Sequence, residues 1–351
     1  MLYIDIKKHL KNFTLDIALE TDNDRVGILG QSGSGKSMML KAIAGIIKPD
    51  EGIIVLNDRV LFNSKKKINL PPRDRNVGYL FQNYALFPHM TVRENIVSGM
   101  LKNSKVEKQK VSNDMIKKLC LEGLENRYPK ELSGGQQQRV AIARMLGTKP
   151  EILMFDEPFS ALDYHLRENM QENLLEILNK ENTTSILVSH DIDEAYRLSK
   201  EIVVVDNGEI KRKDKKEEVF KNPKNLATAK ITGCKNISRA KKIDDNKVFA
   251  IDWEVEIEIL PTKDHIDYIG IRAHHIEYSG TLGENIYPYI IESKSETRFG
   301  QTMYFSLGKE HREKEEQLRF EVDKKLFQRE CYKNNFKYIK LPKENIILLR
   351  N

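Results

Sequence analysis

Hydrophobic and polar positions alternate at the start of the chain. Leu2, Ile4 and Ile6 are interleaved with Tyr3, Asp5 and Lys7, and Phe13, Leu15, Ile17 and Leu19 with Thr14, Asp16, Ala18 and Glu20. This period of two predicts half-buried antiparallel strands. Ile53 to Leu56 and Val60 to Phe62 add a hairpin around Asn57-Asp58. Elsewhere the apolar positions come in short unbroken runs: Val26 to Leu29, Val77 to Phe81, Ile152 to Phe155, Ser185 to Val188 and Glu201 to Val205. Such runs are too short for helices and read as buried strands, the last of them closing the sheet and followed by a hairpin turn at Asp206-Asn207-Gly208-Glu209. Helical spacing lies between them, in Met38 to Ala44, in Val111, Met115, Ile116 and Leu119, in Val140 to Leu146, and in Leu166, Met170, Leu174 and Leu178. The result is an α/β domain over residues 1–232 with a helical insert at about 83–130. Residues 233–351 carry repeated short strands, with Val255, Ile257 and Ile259 alternating with glutamates, which predicts a small β-barrel.

Composition narrows the function classes. A chain of 351 residues exceeds what one core usually supports, so two domains are expected. The formal net charge of +6 comes from Lys and Glu mixed along the chain, which suits a solvated surface rather than a nucleic-acid partner. No apolar run approaches the roughly 18 residues of a membrane span, and Asp5 sits where a signal peptide would be apolar. A cytoplasmic protein that meets a membrane through partners is expected. Cys120, Cys234 and Cys331 are far apart and odd in number, which points to reduced thiols.

Chemistry concentrates at a few stretches. Gly30-Gln31-Ser32-Gly33-Ser34-Gly35-Lys36-Ser37 fits the phosphate-loop pattern, follows an apolar run and opens a helical one. Its glycines let backbone N–H groups turn around phosphate oxygens, and the helix N-terminus adds partial positive charge. Lys36 would reach the β- and γ-phosphates, and the Ser37 hydroxyl would sit on Mg²⁺. Asp156-Glu157 ends an apolar strand, where paired carboxylates are costly unless they hold a cation or polarise water. Asp156 suits the metal, directly or through water, and Glu157 suits the base that orients attacking water. Gln82 and His190 also follow buried strands, so in an open parallel sheet they emerge at the ligand-binding edge. Ser133 and Gln136 have capping-box spacing around Gly134 and Gly135, so a helix starts there with N–H groups open to an anion.

In this order the motifs resemble the ATP-binding subunit of ATP-binding cassette (ABC) transporters. Walker A is Gly30 to Ser37, the Q-loop Gln82, the signature Leu132 to Gln136, Walker B Ile152 to Asp156 followed by Glu157, the D-loop Ser160 to Asp163 and the switch His190. Met38 stands where the family usually has threonine, which leaves the metal-binding hydroxyl of Ser37 intact. The resemblance implies a P-loop cassette that is a mixed sheet with an antiparallel β subdomain, binding ATP and Mg²⁺. It adds Gln82 to the metal-binding and catalytic sets, beside Glu157, His190 and Lys36. It also implies a homodimer in which Ser133, Gly134, Gly135 and Gln136 face ATP held by the other copy. Two membrane permease subunits and, indirectly, an extracytoplasmic solute-binding protein are the implied partners, which places the chain at the cytoplasmic face of the membrane. Gly270-Ile271-Arg272-Ala273-His274-His275-Ile276 resembles a stretch of the OB-like (TOBE) regulatory domain of importer ATPases, which implies import and an oxyanion or regulator as ligand. His274 and His275, read as strand neighbours, would point to opposite faces and share no metal. Within importers the short N-terminal hairpin, Leu56 to Leu61, Leu70 to Gly78 and Thr232 to Asn236 look most like the molybdate/sulfate group. Molybdate ranks first, then sulfate or tungstate, with iron, polyamine or sugar import and a non-transport ABC ATPase as alternatives.

Overall fold

The computed structural model describes the chain except residues 23–24, 101–102, 161–163, 182, 297–299, 309–310, 312, 314–315 and 324–337; of residues 164–166 and 181 it describes the backbone alone. Contacts divide it into Met1–Lys216 and Glu217–Asn351. The first unit holds β1 (Leu2–Leu10), β2 (Phe13–Thr21), β3 (Arg25–Leu29), α1 (Lys36–Ala44), β4 (Glu51–Leu56), β5 (Arg59–Asn63), β6 (Ile68–Asn69) and β7 (Val77–Leu80). There follow α2 (Val92–Val97), α3 (Lys105–Lys118), α4 (Gly134–Gly147), β8 (Ile152–Asp156), α5 (Tyr164–Glu181), β9 (Thr184–Val188), α6 (Ile192–Leu198), β10 (Glu201–Asp206) and β11 (Glu209–Lys215).

These strands form one sheet in the order β6-β5-β4-β1-β2-β11-β10-β3-β9-β8-β7. The β10-β3-β9-β8-β7 half is parallel throughout, which sends β3, β7, β8 and β9 to a common carboxyl edge. The expected pairing of β1 with β2 is antiparallel, with Ile4 opposite Leu19 and Ile6 opposite Ile17. Asn57 and Asp58 both take left-handed φ, 47° and 63°, as a two-residue hairpin between twisted strands requires. One sheet face buries α1 with Ile28, Ile152 and Met154, and the other buries Leu153 and Phe155 beneath α4 and the helical insert. Alternate side chains of a strand face opposite ways, so β8 feeds both cores. The run Glu201 to Val205 does not close the sheet: the turn at Asn207-Gly208 returns β11 antiparallel to β10, and Glu209 also pairs with Asp16 of β2.

The second unit starts earlier than residue 233. Residues 217–232, expected with the first domain, pack with the residues after them. They include α7 (Lys216–Lys221), whose first residue closes the first unit, and α8 (Leu226–Ile231). The Arg272 guanidinium donates to the Phe220 and Thr232 carbonyls, and Ala229 shares a small core with Cys234, Ile347 and Leu349. The strands are β12 (Asn236–Lys242), β13 (Lys247–Ala250), β14 (Val255–Glu258), β15 (Tyr268–Ile271), β16 (Glu277–Ser279), β17 (Ile286–Glu296), β18 (Gly300–Leu307), β19 (Leu318–Asp323), β20 (Tyr338–Lys340) and β21 (Ile347–Leu349). They form two five-stranded antiparallel sheets, β14-β13-β12-β15-β21 and β16-β20-β17-β18-β19, which share a core around Trp253 and Phe305. His274 and His275 lie in a 3-10 turn, not a strand, and their rings meet edge to face at 4.4 Å. Cys331 lies outside the described residues.

Candidate active site

The phosphate loop connects β3 to α1, and its path depends on Gly33 and Gly35, at φ 80° and 102°. Side chains rarely adopt these angles. Gly35 is the N-cap of α1 and supplies no side-chain acceptor to the first-turn N–H groups. An uncapped helix start is an anion site in waiting. Lys36 is buried and its ammonium donates to the Gly30 and Gln31 carbonyls, both at 2.8 Å. Burial lowers its pKa, and the Glu157 and Asp156 carboxylates work against that shift. A cleft of about 410 Å³ opens here, lined by Ser32, Gly33, Ser34, Gly35, Lys36 and Ser37 together with Phe13, Leu10 and Glu157.

The neighbouring strands deliver the remaining groups. Ser37 Oγ donates to Asp156 Oδ1 at 2.6 Å, so the end of β8 meets the first turn of α1. Glu157 follows with a left-handed φ of 48°, and its N–H is fixed to the Val188 carbonyl of β9 at 3.0 Å. Such a conformation costs of order 1–3 kcal/mol and persists where the surroundings impose it. It turns the Glu157 carboxylate toward His190, whose Nδ1 stands 3.2 Å from Oε2. Gln82 lies beyond β7, and its amide nitrogen donates to Ser160 Oγ at 3.2 Å; Ser160 in turn donates to the Glu157 carbonyl at 3.0 Å. The rest of the expected D-loop, 161–163, lies outside the described residues.

Ser133 to Gln136 do not line this cleft. They form the expected capping box at the start of α4: Ser133 Oγ accepts from the Gln136 N–H, and Gln136 Oε1 accepts from the Ser133 N–H at 2.9 Å. The N–H groups of Gly134 and Gly135 remain outside that box.

Ser37 and Asp156 offer hard oxygen ligands, as does the Gln82 amide oxygen. Among the described residues no group of three or more His, Cys, Asp or Glu gathers to cage a metal. This set fits Mg²⁺, which keeps several waters and completes its shell with substrate phosphates.

Four long-range side-chain contacts were not legible in the sequence. Tyr79 donates to Asp156 Oδ2 at 2.7 Å. Gln138 reaches the Pro158 carbonyl at 3.1 Å. Arg144 holds the Tyr84 and Ala85 carbonyls at 2.8 Å each, where both residues have left-handed φ. Arg75, fully buried, donates to the Ala42 and Ile43 carbonyls at the end of α1. Each joins segments whose adjacency depends on strand order, and the only signal was a polar-tipped side chain within an otherwise apolar or helical pattern.

A family model described as ABC transporter matches residues 10–160. A spermidine/putrescine import ATP-binding protein from Clostridioides difficile is 43% identical over 253 residues, 70% of each chain. A sulfate/thiosulfate import ATP-binding protein from a Synechocystis species is 41% identical over 224 residues, 62% of this chain and 61% of that one. Among solved structures, a dimeric ATP-binding cassette in a post-hydrolysis state with ADP and Pi is 30% identical, with a TM-score of 0.52 over 61% of this chain and 98% of that one. With its phosphate loop, its two carboxylates at the end of β8 and these relatives, the chain belongs to the ABC transporter family, as an ATPase subunit of the import type.

Proposed function

We propose that two copies of this chain close face to face on two Mg·ATP and part after hydrolysis, and that this cycle drives solute uptake through two separate permease subunits fed by an extracytoplasmic solute-binding protein. The observation that carries this reading is the convergence of Ser37, Asp156, Glu157 and His190 at the carboxyl edge of β3, β8 and β9, with Ser37 to Asp156 at 2.6 Å and Glu157 to His190 at 3.2 Å. That the similar cassette structure bound to ADP and Pi is dimeric supports a two-copy arrangement.

In that arrangement Lys36 leaves the loop carbonyls for the β- and γ-phosphates, and the first-turn N–H groups of α1 cradle them. Bound Mg²⁺ would neutralise charge developing on the phosphate oxygens. Glu157 accepts a proton from the attacking water, and His190, 3.2 Å from the Glu157 carboxylate, contacts the γ-phosphate together with Gln82. Gln82 would hold Mg²⁺ through its amide oxygen, while its amide nitrogen donates to Ser160 Oγ and so links it to the loop after Glu157. The N–H groups of Gly134 and Gly135, with the Ser133 hydroxyl, meet the γ-phosphate on the other copy. Losing that phosphate removes the contacts that favour the closed dimer.

No helix among the described residues is long and apolar enough to cross a membrane, which suits peripheral attachment through permeases at the cytoplasmic face. As solute, molybdate rests on the resemblance of the N-terminal hairpin, Leu56 to Leu61, Leu70 to Gly78 and Thr232 to Asn236. The relatives above are named for spermidine/putrescine and sulfate/thiosulfate import, so polyamine and sulfate stand beside it. The second unit, as the regulatory domain, would take an oxyanion or regulator. Glu157→Gln tests the cycle: it binds ATP, stalls hydrolysis and accumulates a closed dimer by size exclusion. Turnover at the parental rate would remove Glu157 from its role.

A further inference from the structure

Tyr79 belongs to none of the motifs, yet it completes the shell of the carboxylate at the end of β8. Its hydroxyl donates to Asp156 Oδ2 at 2.7 Å while Ser37 Oγ donates to Oδ1 at 2.6 Å, so each oxygen has one hydroxyl partner. The parallel register sets Tyr79 beside Met154, on the sheet face that Met154 shares with Asp156. Asp156 therefore lies about 6–7 Å further along the strand direction. A serine there would carry a donor without the reach, and a phenylalanine the reach without a donor. The ring is fixed by the core beneath α1 and by Phe81, with centroids 4.5 Å apart.

We propose that Tyr79 is a positioning residue for the metal site: by holding Oδ2 it fixes the carboxylate plane, so that Oδ1 faces Ser37 and the cation they share. This inference rests on the assignment of Ser37 and Asp156 to Mg²⁺ under the proposed function. Without the hydroxyl, Oδ2 loses its partner and the carboxylate is free to rotate about its Cβ–Cγ bond. Nucleotide binding without a divalent ion should not depend on it.

The test uses the full chain and Mn²⁺ as the probe, with binding to the nucleotide-loaded protein followed by electron paramagnetic resonance. A fluorescent ATP analogue in excess EDTA gives the metal-free nucleotide affinity of the same samples. Tyr79→Phe is expected to weaken Mn²⁺ about tenfold, as loss of one hydrogen bond to a charged group would, and to leave affinity in EDTA at the parental value. Asp156→Asn is the control for the site itself. If Asp156→Asn weakens Mn²⁺ and Tyr79→Phe does not, the positioning role is overturned and the metal assignment stands. If neither variant changes Mn²⁺ binding, the metal assignment falls and the inference with it. If Tyr79→Phe weakens nucleotide binding in EDTA as much as it weakens Mn²⁺, the hydroxyl supports the site as a whole and the inference is wrong.

Discussion

Helices α1 and α4 both begin in a serine- and glycine-rich turn, and they treat their first N–H groups in opposite ways. Helix α1 starts from a left-handed Gly35 with no capping side chain, and the Lys36 ammonium beside it is folded back onto loop carbonyls. Its other end is closed by the left-handed Gly45, whose N–H bonds the helix carbonyls, and by the buried Arg75 guanidinium. Helix α4 is closed at its start by the Ser133–Gln136 box, and along its length Gln138 and Arg144 grip the loops after β8 and β7. The difference separates a site that lacks only its ligand from one already satisfied locally. In the proposed cycle an anion would complete α1 within one chain, whereas α4 would offer the Gly134 and Gly135 N–H groups and the Ser133 hydroxyl to a second copy.

A third helix start extends the comparison and gives the largest expected effect. Helix α6 is capped by Asp191, whose Oδ1 accepts from the Asp193 and Glu194 N–H groups, and the Glu194 side chain is buried in that first turn. Its Oε1 has no hydrogen-bond partner. Burial first, and the Asp191 charge next, push the Glu194 carboxyl from 4.5 up to about 8, with Ser189 and Arg167 opposing and Glu157 adding to the rise. Between those two values the folded chain keeps a proton that the unfolded chain has released, so stability falls as pH rises and the loss is complete above about 8. The full swing is on the order of 5 kcal/mol. Glu194→Gln is expected to abolish this slope, matching the parent near pH 4.5 and exceeding it at pH 9 in urea melts. Parallel stability curves would show that the carboxyl is ionised in the fold.

The closed end of α1 comes next. Arg75→Ala removes the donor shared by the Leu70, Ala42 and Ile43 carbonyls and Asn69 Oδ1, all at 2.8 Å. Leaving buried acceptors unpaired is expected to cost about 3 kcal/mol or more, read as a lower urea midpoint. A loss under about 1 kcal/mol would mean that water replaces the guanidinium. At the open end, Lys36→Ala should weaken ATP on the order of a hundredfold, from lost charge-assisted hydrogen bonds. Calorimetry showing parental ATP affinity would count against the phosphate-loop assignment.

The same contrast explains what was legible in the sequence. Phosphate loop, paired carboxylates and capping box were readable because each is local: a strand, a turn with particular φ requirements and a helix, within about ten residues. Tyr79, Arg75 and Arg144 were not, because their partners lie on segments that only the sheet order brings together. The β10–β11 return was half legible, as a turn at Asp206–Glu209 whose second strand, Glu209–Lys215, carries charges at most positions. In the second unit several strands were visible by alternation, but Asn236–Lys242 and Lys247–Ala250 were hidden by lysines, and the His274-His275 segment turned where a strand was expected. Residues 217–232 cluster with the residues after them, where Asn225 bridges Arg350, a partner more than a hundred residues on that no local pattern announces.

The smallest effect on stability sharpens the reading of α4 most. Ser133→Ala removes the cap acceptor for the Gln136 N–H and should cost about 1 kcal/mol. Ser133→Asp keeps an acceptor at the same position, since aspartate is an N-cap of equal quality, and its charge favours the helix N-terminus. It should therefore be at least as stable as the parent. If the start of α4 serves only its own helix, the aspartate variant will behave as the parent in every assay. If it meets the γ-phosphate of a second copy, two negative charges are brought together at closure. In the Glu157→Gln background, Ser133→Asp should then bind Mg·ATP with parental affinity and remain monomeric by size exclusion, while Ser133→Ala still dimerises, more weakly. A stable aspartate variant that dimerises as well as its parent would confine Ser133 to the cap.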